Sequence, residues 1–317
     1  MVPRAAERRE FVMKMLVTGG AGFIGSHLVE ALIAQGADVH VIDNLSTGNR
    51  DYLPKNVTLH TLDIQGEEAA KLIKRLKPDI VFHEAAQVDV QRSVKDPAYD
   101  AIINIVGAAN ILQACCEAAV KKVVYASSCA VYGELEKALI HEQDPARPIS
   151  FYGISKRTPE LYLRVFHKLY GLNYTILRYA NVFGPRQTPK GEGGVISIFM
   201  DRIKKGTQLV VFGDGEQTRD FVYVKDVVRA NLAAVRQGDG EIIQIGTSLP
   251  TSIKELLVIL QHIHDEPLLA VHEPERPGDI RHSCLSNVRA FELLGWKPTY
   301  DLYRGLQETY QYVMNRS

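Results

Sequence analysis

A tyrosine and a lysine one helical turn apart are the first residues whose chemistry stands out. Tyr152 and Lys156 flank the segment Gly153-Ile154-Ser155, and side chains at this spacing share one face of a helix. A free phenol has a pKa of about 10, so its use as a base at pH 7 requires a shift of about three units, or roughly 4 kcal/mol. The lysine cation would supply part of that shift, and the hydroxyl of Ser128 would complete a path for the proton. The pattern predicts an acid–base site; the alternative is a half-buried tyrosine beside a solvated lysine, since such pairs also occur by chance.

A glycine-rich turn lies near the amino end of the sequence. It reads Gly19-Gly20-Ala21-Gly22-Phe23-Ile24-Gly25, follows a short apolar run and opens an amphipathic helix. Backbone can approach a pyrophosphate only where side chains are absent, and a helix amino terminus offers that anion unpaired N–H groups and a positive dipole end. Glycine also serves tight turns for steric reasons alone, but strand, turn and helix occur together here. The turn therefore predicts a dinucleotide site.

An acidic residue at the end of the second predicted strand indicates which dinucleotide binds. Asp43 follows the glycine turn at roughly 20 residues, the spacing at which a carboxylate meets the adenosine ribose hydroxyls. The carboxylate would repel a 2′-phosphate, and no arginine follows at Asn44, so we expect NAD rather than NADP. The nicotinamide cation would then help to lower the phenol pKa of Tyr152. Two later segments would contact the adenine and the nicotinamide ribose: Asp63-Ile64 and His83-Glu84-Ala85-Ala86-Gln87. Each segment could equally serve loop geometry or packing.

Apolar, β-rich runs that alternate with helical patterns define the predicted fold. Strands are predicted at 15–18, 38–42, 58–61, 79–84, 122–127 and 174–179, and helices near 25–36, 66–77, 98–119 and 150–171. This order predicts an α/β protein with a Rossmann-like, doubly wound parallel sheet and a smaller C-terminal substrate-binding domain. We expect an NAD-binding domain at 13–181 and a mainly substrate-binding domain at 182–317, with the alternative that segments near 221–248 return to the first domain. Pro159 predicts a kink or restart in the last helix.

Composition and charge narrow the class of protein. The 317 residues are 46% hydrophobic and 23% charged, which is typical of globular proteins and excludes a disordered or collagen-like chain. Lysine plus arginine and aspartate plus glutamate both number 37, so the chain lacks the basic excess typical of nucleic-acid binding. No apolar run approaches about 18 residues, and the charged leader lacks the apolar region of a signal peptide. We therefore expect a cytoplasmic protein with neither a nucleic-acid nor a membrane partner.

Two further features of the sequence, its amino-terminal segment and its cysteines, suggest no catalytic or binding role. Residues 1–12 lack periodicity, so we expect a mobile extension upstream of the fold. The cysteines show no zinc or redox spacing, so we expect no metal and interpret them as small buried hydrophobes: Cys115, Cys116, Cys129 and Cys284.

Taken together, these motifs resemble the extended short-chain dehydrogenase/reductase superfamily and, within it, the NAD-dependent UDP-hexose 4-epimerases. The likeness covers about residues 13–315. It depends on seven segments: 18–25, 43–45, 127–128 together with the following Val131-Tyr132-Gly133, 152–156, 177–186, 219–224 and 276–279. The resemblance implies a tightly held NAD that is reduced and reoxidised within each turnover. It also implies that Tyr152, with Ser128 and Lys156, takes the proton from the sugar 4-hydroxyl, and that the 4-keto sugar turns over in the pocket before its reduction.

The resemblance assigns contacts by position. The implied NAD contacts are Gly19, Gly22, Phe23, Ile24, Gly25, Asp43, Asn44, Ser46, Thr47, Gly48, Asp63, Ile64, Ala85, Ala86, Gln87, Asn104, Tyr152, Lys156 and Tyr179. The implied UDP-sugar contacts are Ser128, Tyr152, Asn181, Val195, Val210, Phe212, Arg219, Arg276, Asp279 and Ser283. An arginine fork matches phosphate oxygens and an aromatic face can stack on uracil, although Phe212 could equally be a core aromatic.

Departures from the resembling enzymes refine the expected activity. Sugar-nucleotide 4,6-dehydratases carry an acidic pair just after the serine position, whereas this chain has Cys129 and Ala130. We therefore expect a 4-epimerase; the alternatives are a decarboxylase or epimerase of a different nucleotide sugar, and a non-catalytic NAD-binding regulator. Ser283 occupies the position where a large aromatic restricts the epimerases to glucose and galactose, so we expect UDP-GlcNAc and UDP-GalNAc to be accepted alongside UDP-Glc and UDP-Gal. Glu84 stands where such enzymes more often carry a neutral residue.

The apolar surface of one predicted helix leads us to expect a homodimer. The helix near 99–120 is apolar over more than one face, through Ile102, Ile103, Val106, Ile111, Leu112, Cys115 and Ala119. A fully buried helix would look the same, but the resemblance implies a four-helix interface between this helix, the Tyr152 helix and their copies.

Overall fold

The computed structural model describes residues 12–189, 194–275 and 280–316. Of the predicted leader, only Val12 belongs to these ranges, where it is exposed. Arg276 and Asp279, two of the expected substrate contacts, lie outside the described residues.

The described residues contain the following strands, in chain order: β1 (Lys14–Thr18), β2 (Asp38–Ile42), β3 (Thr58–His60), β4 (Ile80–His83), β5 (Lys122–Ser128), β6 (Asn173–Tyr179), β7 (Asn181–Phe183), β8 (Leu209–Phe212), β9 (Thr218–Tyr223), β10 (Glu241–Ile245), β11 (Pro250–Ser252), β12 (Ala270–Glu273) and β13 (His282–Ser283). The helices are α1 (Phe23–Ala34), α2 (Glu67–Leu76), α3 (Val90–Lys95), α4 (Pro97–Ala101), α5 (Ala108–Glu117), α6 (Phe151–Tyr170), α7 (Val195–Lys204), α8 (Val224–Ala234), α9 (Ile253–Ile263), α10 (Val288–Leu294) and α11 (Leu302–Met314). Short 3-10 turns lie at Arg50–Tyr52 and Cys129–Tyr132.

The larger sheet has seven strands in the order β10-β6-β5-β4-β1-β2-β3, and every neighbouring pair is parallel. Six of these strands follow the 3-2-1-4-5-6 order of a doubly wound dinucleotide-binding sheet. The predicted α/β fold class is therefore confirmed, with strand ends shifted by at most one residue.

Helices cover both faces of this sheet, which explains its continuously apolar strands. One face buries Leu28 of α1, Val227 of α8 and Ala290 of α10. The other buries Leu72 of α2 and Ile111 of α5, together with residues of α6. The loops that bear the candidate site thus emerge from a rigid support at the carboxyl ends of the strands.

A second core belongs to the C-terminal part of the chain. Strand β9 pairs with β7, β11 and β13, while β8 pairs separately with β12. Their apolar faces bury Phe199, Val211, Leu256 and Leu306 with their neighbours. β10 then leaves this part of the chain and pairs with β6 at the edge of the larger sheet.

The predicted helix near 98–119 consists of α4, a π-helical segment at Ile102–Gly107 and α5 in direct succession. Within the described ranges, Pro97–Glu117 is the one helix whose length and mean hydropathy of 1.2 would suffice to cross a membrane. Core helices meet the same criteria, and 44% of its most apolar window is buried.

Two expectations need correction. α6 is one uninterrupted helix with Pro159 buried inside it, so the predicted restart is wrong. Cys115 and Cys284 are buried, but Cys116 and Cys129 are partly exposed, so the interpretation of all four as buried hydrophobes is also wrong. Cys129 is partly exposed because it starts the 3-10 turn after β5 rather than lying in the sheet. No group of three or more metal-ligating side chains occurs among the described residues.

Candidate active site

The glycine turn joins β1 to α1 and leaves no room for side chains. Gly19 has a φ of +70°, and a Cβ there would lie 2.6 Å from the amide nitrogen of Ala85. A Cβ on Gly25 would collide with the carbonyl oxygen of Gly19. No side chain caps the amino end of α1 at Gly22, so the N–H groups of its first turn, including Phe23 and Ile24, remain available to an anion. The turn therefore fits the pyrophosphate of a dinucleotide.

Asp43 directly follows β2 and lies beside this turn with 8% of its surface exposed. Its carboxylate accepts backbone N–H bonds from Ala21 at 2.9 Å and Leu45 at 2.8 Å. Burial raises the pKa of Asp43, and these two bonds oppose the rise. A Cβ on Gly48 would lie 2.7 Å from a carboxylate oxygen, so the loop after β2 folds around the carboxylate. This arrangement suits recognition of ribose hydroxyls.

The loop after β2 also reaches β3. Asn44 donates a side-chain hydrogen bond to exposed Asp63, whereas Ile64 is buried in the core. Ser46 and Thr47 are exposed between them. The predicted adenosine contacts therefore cluster at the carboxyl ends of β2 and β3.

Asn104 organises the loop after β4. Its Oδ1 accepts the N–H of Gln87 at 2.8 Å, and its Nδ2 donates to the carbonyl of Gln87 at 2.9 Å and to Ser155 Oγ at 3.0 Å. Both ends of the amide are thus engaged, so Asn104 positions Gln87. The predicted contact of Asn104 with NAD stays a prediction. Half-buried Ala85 and Ala86 precede Gln87 beside the glycine turn.

The three expected catalytic residues lie near the carboxyl end of β5. Ser128 ends the strand, and its Oγ accepts the N–H of Ala130 at 3.2 Å. A Cβ on Gly153 would lie 2.5 Å from the carbonyl oxygen of Ala130, so the first turn of α6 packs against the segment after Ser128. That first turn carries half-buried Tyr152, and Lys156 follows one turn later on the same face.

Lys156 is a buried cation with 4% of its surface exposed. Its Nζ lies 4.8 Å from the centre of the Tyr125 ring, and the Tyr125 hydroxyl donates to the Lys156 carbonyl at 3.2 Å. Burial lowers the pKa of Lys156 to about 8, while nearby carboxylates oppose the fall. Burial, with a smaller effect from Lys156, lowers the pKa of His83 to about 3, so that imidazole is neutral.

Most of the expected sugar-nucleotide contacts lie on strands and a helix of the C-terminal part of the chain. Val210 and Phe212 share the half-exposed face of β8, whose other face is buried. Ser283 of β13 stands in register with Arg219 of β9. Asn181 begins β7 and Val195 begins α7, and both are half-buried.

Cys129 connects the two halves of the site. Its thiol is within hydrogen-bonding reach of both Ser128 and Ser283, and the Arg219 cation is close enough to lower its pKa, although burial raises that pKa overall. Ser283 is therefore next to the end of β5. Its contact with the sugar stays a prediction.

Asp220 is a supporting residue to which the sequence analysis assigned no role, although it lies in the motif at 219–224. The buried carboxylate accepts hydrogen bonds from Thr247 N at 2.8 Å, Thr247 Oγ1 at 2.6 Å and Leu285 N at 3.2 Å. It thereby fixes the strand that carries Arg219 to the segments after β10 and β13. A carboxylate directly before the apolar run Phe221-Val222-Tyr223-Val224 is the signal that could have indicated it.

The sheet is doubly wound, with a glycine turn at its first crossover and a serine, a tyrosine and a lysine at or after the end of β5. These features define an extended short-chain dehydrogenase/reductase. The profile of the NAD dependent epimerase/dehydratase family matches residues 15–246. The chain belongs to that family.

Three solved structures resemble the whole chain. UDP-glucose 4-epimerase of Thermotoga maritima, solved with UDP-glucose, is 45% identical with a TM-score of 0.91 and covers 95% of this chain and 98% of its own. UDP-glucose 4-epimerase of Thermus thermophilus, solved with NAD, is 39% identical with a TM-score of 0.92, covering 96% and 100%. UDP-N-acetylglucosamine 4-epimerase of Methanobrevibacter ruminantium is 37% identical with a TM-score of 0.91, covering 95% and 98%. The chain is an NAD-dependent UDP-sugar epimerase, an isomerase.

Proposed function

We propose that the chain interconverts UDP-hexoses that differ at C4, namely UDP-Glc with UDP-Gal and UDP-GlcNAc with UDP-GalNAc. The observation that supports the proposal is the position of Ser128 at the end of β5 and of Tyr152 and Lys156 on the first turns of α6, whose first turn packs against the segment after Ser128. Cys129 in that segment is also close to Arg219 and Ser283. A binding protein would need the glycine turn but not the acid–base group.

In the proposed cycle, the Tyr152 phenolate takes the proton from the sugar 4-hydroxyl and returns it when the 4-keto group is reduced on its other face. The Lys156 ammonium stabilises the phenolate, and the Ser128 hydroxyl passes the proton between sugar oxygen and phenol. NAD held at the glycine turn and Asp43 would supply a reversible hydride acceptor for C4, so one turnover would consume no oxidant. Arg219 would pair with the diphosphate and Phe212 would stack on uracil, which leaves the sugar near Ser128.

Proton NMR of the purified enzyme with single UDP-sugars and no added NAD tests this function. We expect the C4 epimer to accumulate to equilibrium without net oxidation. Loss of carbon dioxide from a UDP-uronic acid would instead indicate a decarboxylase, and the absence of turnover with every UDP-sugar would indicate an NAD-binding regulator.

Ser283→Tyr is predicted to make the enzyme selective for sugars without an N-acetyl group. Ser283 is 7% exposed and contacts Cys129 next to Ser128, so a phenol ring would fill space beside the sugar. Overfilling a packed pocket costs about 1–3 kcal/mol, so kcat/KM for UDP-GlcNAc should fall by about 10- to 100-fold relative to UDP-Glc.

Ser283→Ala is the matched control, because it removes the hydroxyl without adding volume and should keep the N-acetyl activity. An unchanged ratio in the tyrosine variant would mean that Ser283 only bonds its neighbours and that another side chain closes the pocket. The similar UDP-N-acetylglucosamine 4-epimerase of Methanobrevibacter ruminantium supports the wider substrate range.

We also propose a homodimer formed by the helix 97–117 and α6. Ile111, Leu112 and Cys115 are used by the sheet core, but Ile102 and Val106 are 46% and 52% exposed. On the adjacent α6, large apolar side chains are exposed at Ile154, Leu161, Tyr162, Val165 and Leu169. Two neighbouring helices with unburied apolar faces suit a four-helix contact with a second copy.

Light scattering at micromolar concentration should give the mass of two chains, and Val165→Asp should shift it towards one. Val258→Asp on α9 is the control, because Val258 is equally exposed (57% against 54%) but lies far from these helices. A monomeric wild type, or equal effects of the two substitutions, would contradict the interface.

We further propose that the enzyme acts in the cytoplasm, where its free cysteines would stay reduced.

A further inference from the structure

Arg186 reaches from the C-terminal part of the chain to the elements that form the NAD site. It follows β7, in a segment that also contacts α1 through the Pro185 carbonyl oxygen, 3.0 Å from His27 Nε2. The backbone of Arg186 has a φ of +70°, in the left-handed region that non-glycine residues adopt only at a cost. Such a conformation persists where surrounding contacts hold it, which directs attention to the contacts of this side chain.

The Arg186 guanidinium binds to α1. Its Nη2 donates to Glu30 Oε1 at 2.6 Å, and its Nη1 donates to Ser26 Oγ at 3.1 Å. The side chain of Arg186 is 16% exposed and Ser26 is fully buried, so the contact is partly desolvated and charge-assisted. Ser26 belongs to the first turn of α1, so Arg186 holds the helix whose amino end forms the pyrophosphate site.

The same guanidinium contacts the loop after β2. Its Cζ lies 5.5 Å from the centre of the Tyr52 ring, within the range of a cation–π contact. A second cation, Arg316 after α11, lies 5.0 Å from the centre of this ring and donates to the Tyr52 hydroxyl at 2.7 Å. Tyr52 is thus held by two guanidinium groups from the C-terminal part of the chain.

The loop that ends at Tyr52 belongs to the NAD site. Asn49 N donates to the carbonyl of Ala21 in the glycine turn at 2.9 Å, and Gly48 packs against the Asp43 carboxylate. The loop also carries four of the expected NAD contacts, at positions 44 and 46–48. It is therefore attached to the glycine turn through Asn49 and to Arg186 through Tyr52.

We propose that Arg186 is a positioning residue for NAD, which slows release of the bound cofactor by joining the loop at 44–52 to α1. The expected NAD contacts on these two elements are then linked by one guanidinium. Movement of the loop away from α1 breaks the contact with Tyr52, so this contact opposes the local opening that cofactor release needs.

The exchange of bound NAD measures this effect. Protein loaded with NAD is mixed with excess deuterated NAD, and the cofactor freed on denaturation at successive times is analysed by mass spectrometry. In Arg186→Met, which keeps a long side chain but lacks the guanidinium, we expect NAD to exchange at least about 10-fold faster. Backbone amides at 44–53 should also exchange their hydrogens faster, and faster NAD exchange without this change would overturn the role of the loop.

A double-variant cycle separates positioning from general destabilisation. Tyr52→Leu removes the ring that faces Arg186 and should by itself accelerate NAD exchange. Because both side chains act through one contact, the combined variant should accelerate exchange by less than the product of the two single factors. Factors that multiply in full would mean that the two side chains act independently, which would overturn the proposal.

Arg289→Met is the matched control. Arg289 of α10 forms a similar pair with Glu241 of β10, with side chains 30% and 40% exposed against 16% and 43% for Arg186 and Glu30. β10 and β3 are opposite edges of the larger sheet, so this pair is remote from the loop after β2. Its NAD exchange should equal that of the wild type. A wild-type rate in folded Arg186→Met overturns the proposal, as does equal acceleration in Arg289→Met.

Two further outcomes keep the test decisive. If Arg186→Met does not fold, a wild-type exchange rate in Tyr52→Leu overturns the proposal. Because NAD exchange needs no sugar, faster exchange in Arg186→Met supports the inference even if no UDP-sugar is epimerised. Conversely, an active epimerase whose NAD exchange is unchanged by Arg186→Met would contradict this inference and leave the proposed function intact.

Discussion

Tyr152→Phe is expected to reduce kcat by about 10²- to 10⁴-fold, which is the usual contribution of a positioned acid–base group. The substitution removes the phenol that serves as the base in the proposed cycle and leaves the ring in its half-buried place on α6. The glycine turn and Asp43 are on other elements, so bound NAD should remain near one per chain. Single-substrate kinetics and the NAD released on denaturation measure the two quantities.

Tyr162→Phe is the control for this result. Tyr162 is on the same helix but is 43% exposed, and its hydroxyl is remote from Ser128, so its loss should leave kcat unchanged. A Tyr152→Phe enzyme that keeps most of its activity would assign the proton transfer to another group. Loss of NAD together with activity would mean that the phenol holds the cofactor rather than the proton.

The larger sheet could be predicted because local patterns encode it. Strands that are buried on both faces, such as 122–128, are visible in the sequence as continuous apolar runs. A glycine-rich turn marks the first crossover. The strands of the second core were not predicted individually. Most contain six residues or fewer, and their partners, such as β9 with β13, are far apart in the chain, so no local periodicity marks them.

The candidate site likewise has a part that local sequence motifs predict and a part that only the folded chain creates. Tyr152, Lys156 and the glycine turn are short motifs whose spacing carries their meaning. In contrast, the contacts of Arg186 join the segment after β7 to α1 and to the loop after β2, so they exist only in the folded chain. The same applies to Asn104, whose sequence position suggests a cofactor contact but whose amide is engaged by Gln87.

A buried ion pair under the site carries the largest expected effect on stability. Glu160 is fully buried beneath β5 and accepts hydrogen bonds from Ser127 Oγ at 2.6 Å and from Arg178 Nε at 2.9 Å and Nη2 at 2.7 Å. Arg178 is 2% exposed and also donates to the Tyr132 hydroxyl at 2.6 Å. The pair thus joins α6, which carries Tyr152, to strands β5 and β6.

Glu160→Gln should lower the free energy of unfolding by about 3–5 kcal/mol, because it leaves the Arg178 cation buried without its counter-charge. A fall of this size corresponds to a lower Tm by roughly 10 °C. Glu160→Leu combined with Arg178→Met removes both charges and should recover a large part of the loss. Glu216→Gln, which breaks an exposed pair with Lys254, is the control and should leave Tm within about 2 °C.

The pH dependence of stability provides an independent check on the same pair. Burial alone would raise the pKa of Glu160, but Arg178, Ser127 and Arg157 outweigh burial and hold it below the ordinary glutamate value of 4.5. Because the folded pKa is below the unfolded one, the contribution of the carboxylate to stability is complete above that ordinary value and is lost as the pH falls through the folded pKa. Urea unfolding at a series of pH values should therefore show the difference between wild type and Glu160→Gln shrinking on acidification. A difference that stays constant down to the acid-unfolding limit would contradict the charge-based account and indicate a packing defect.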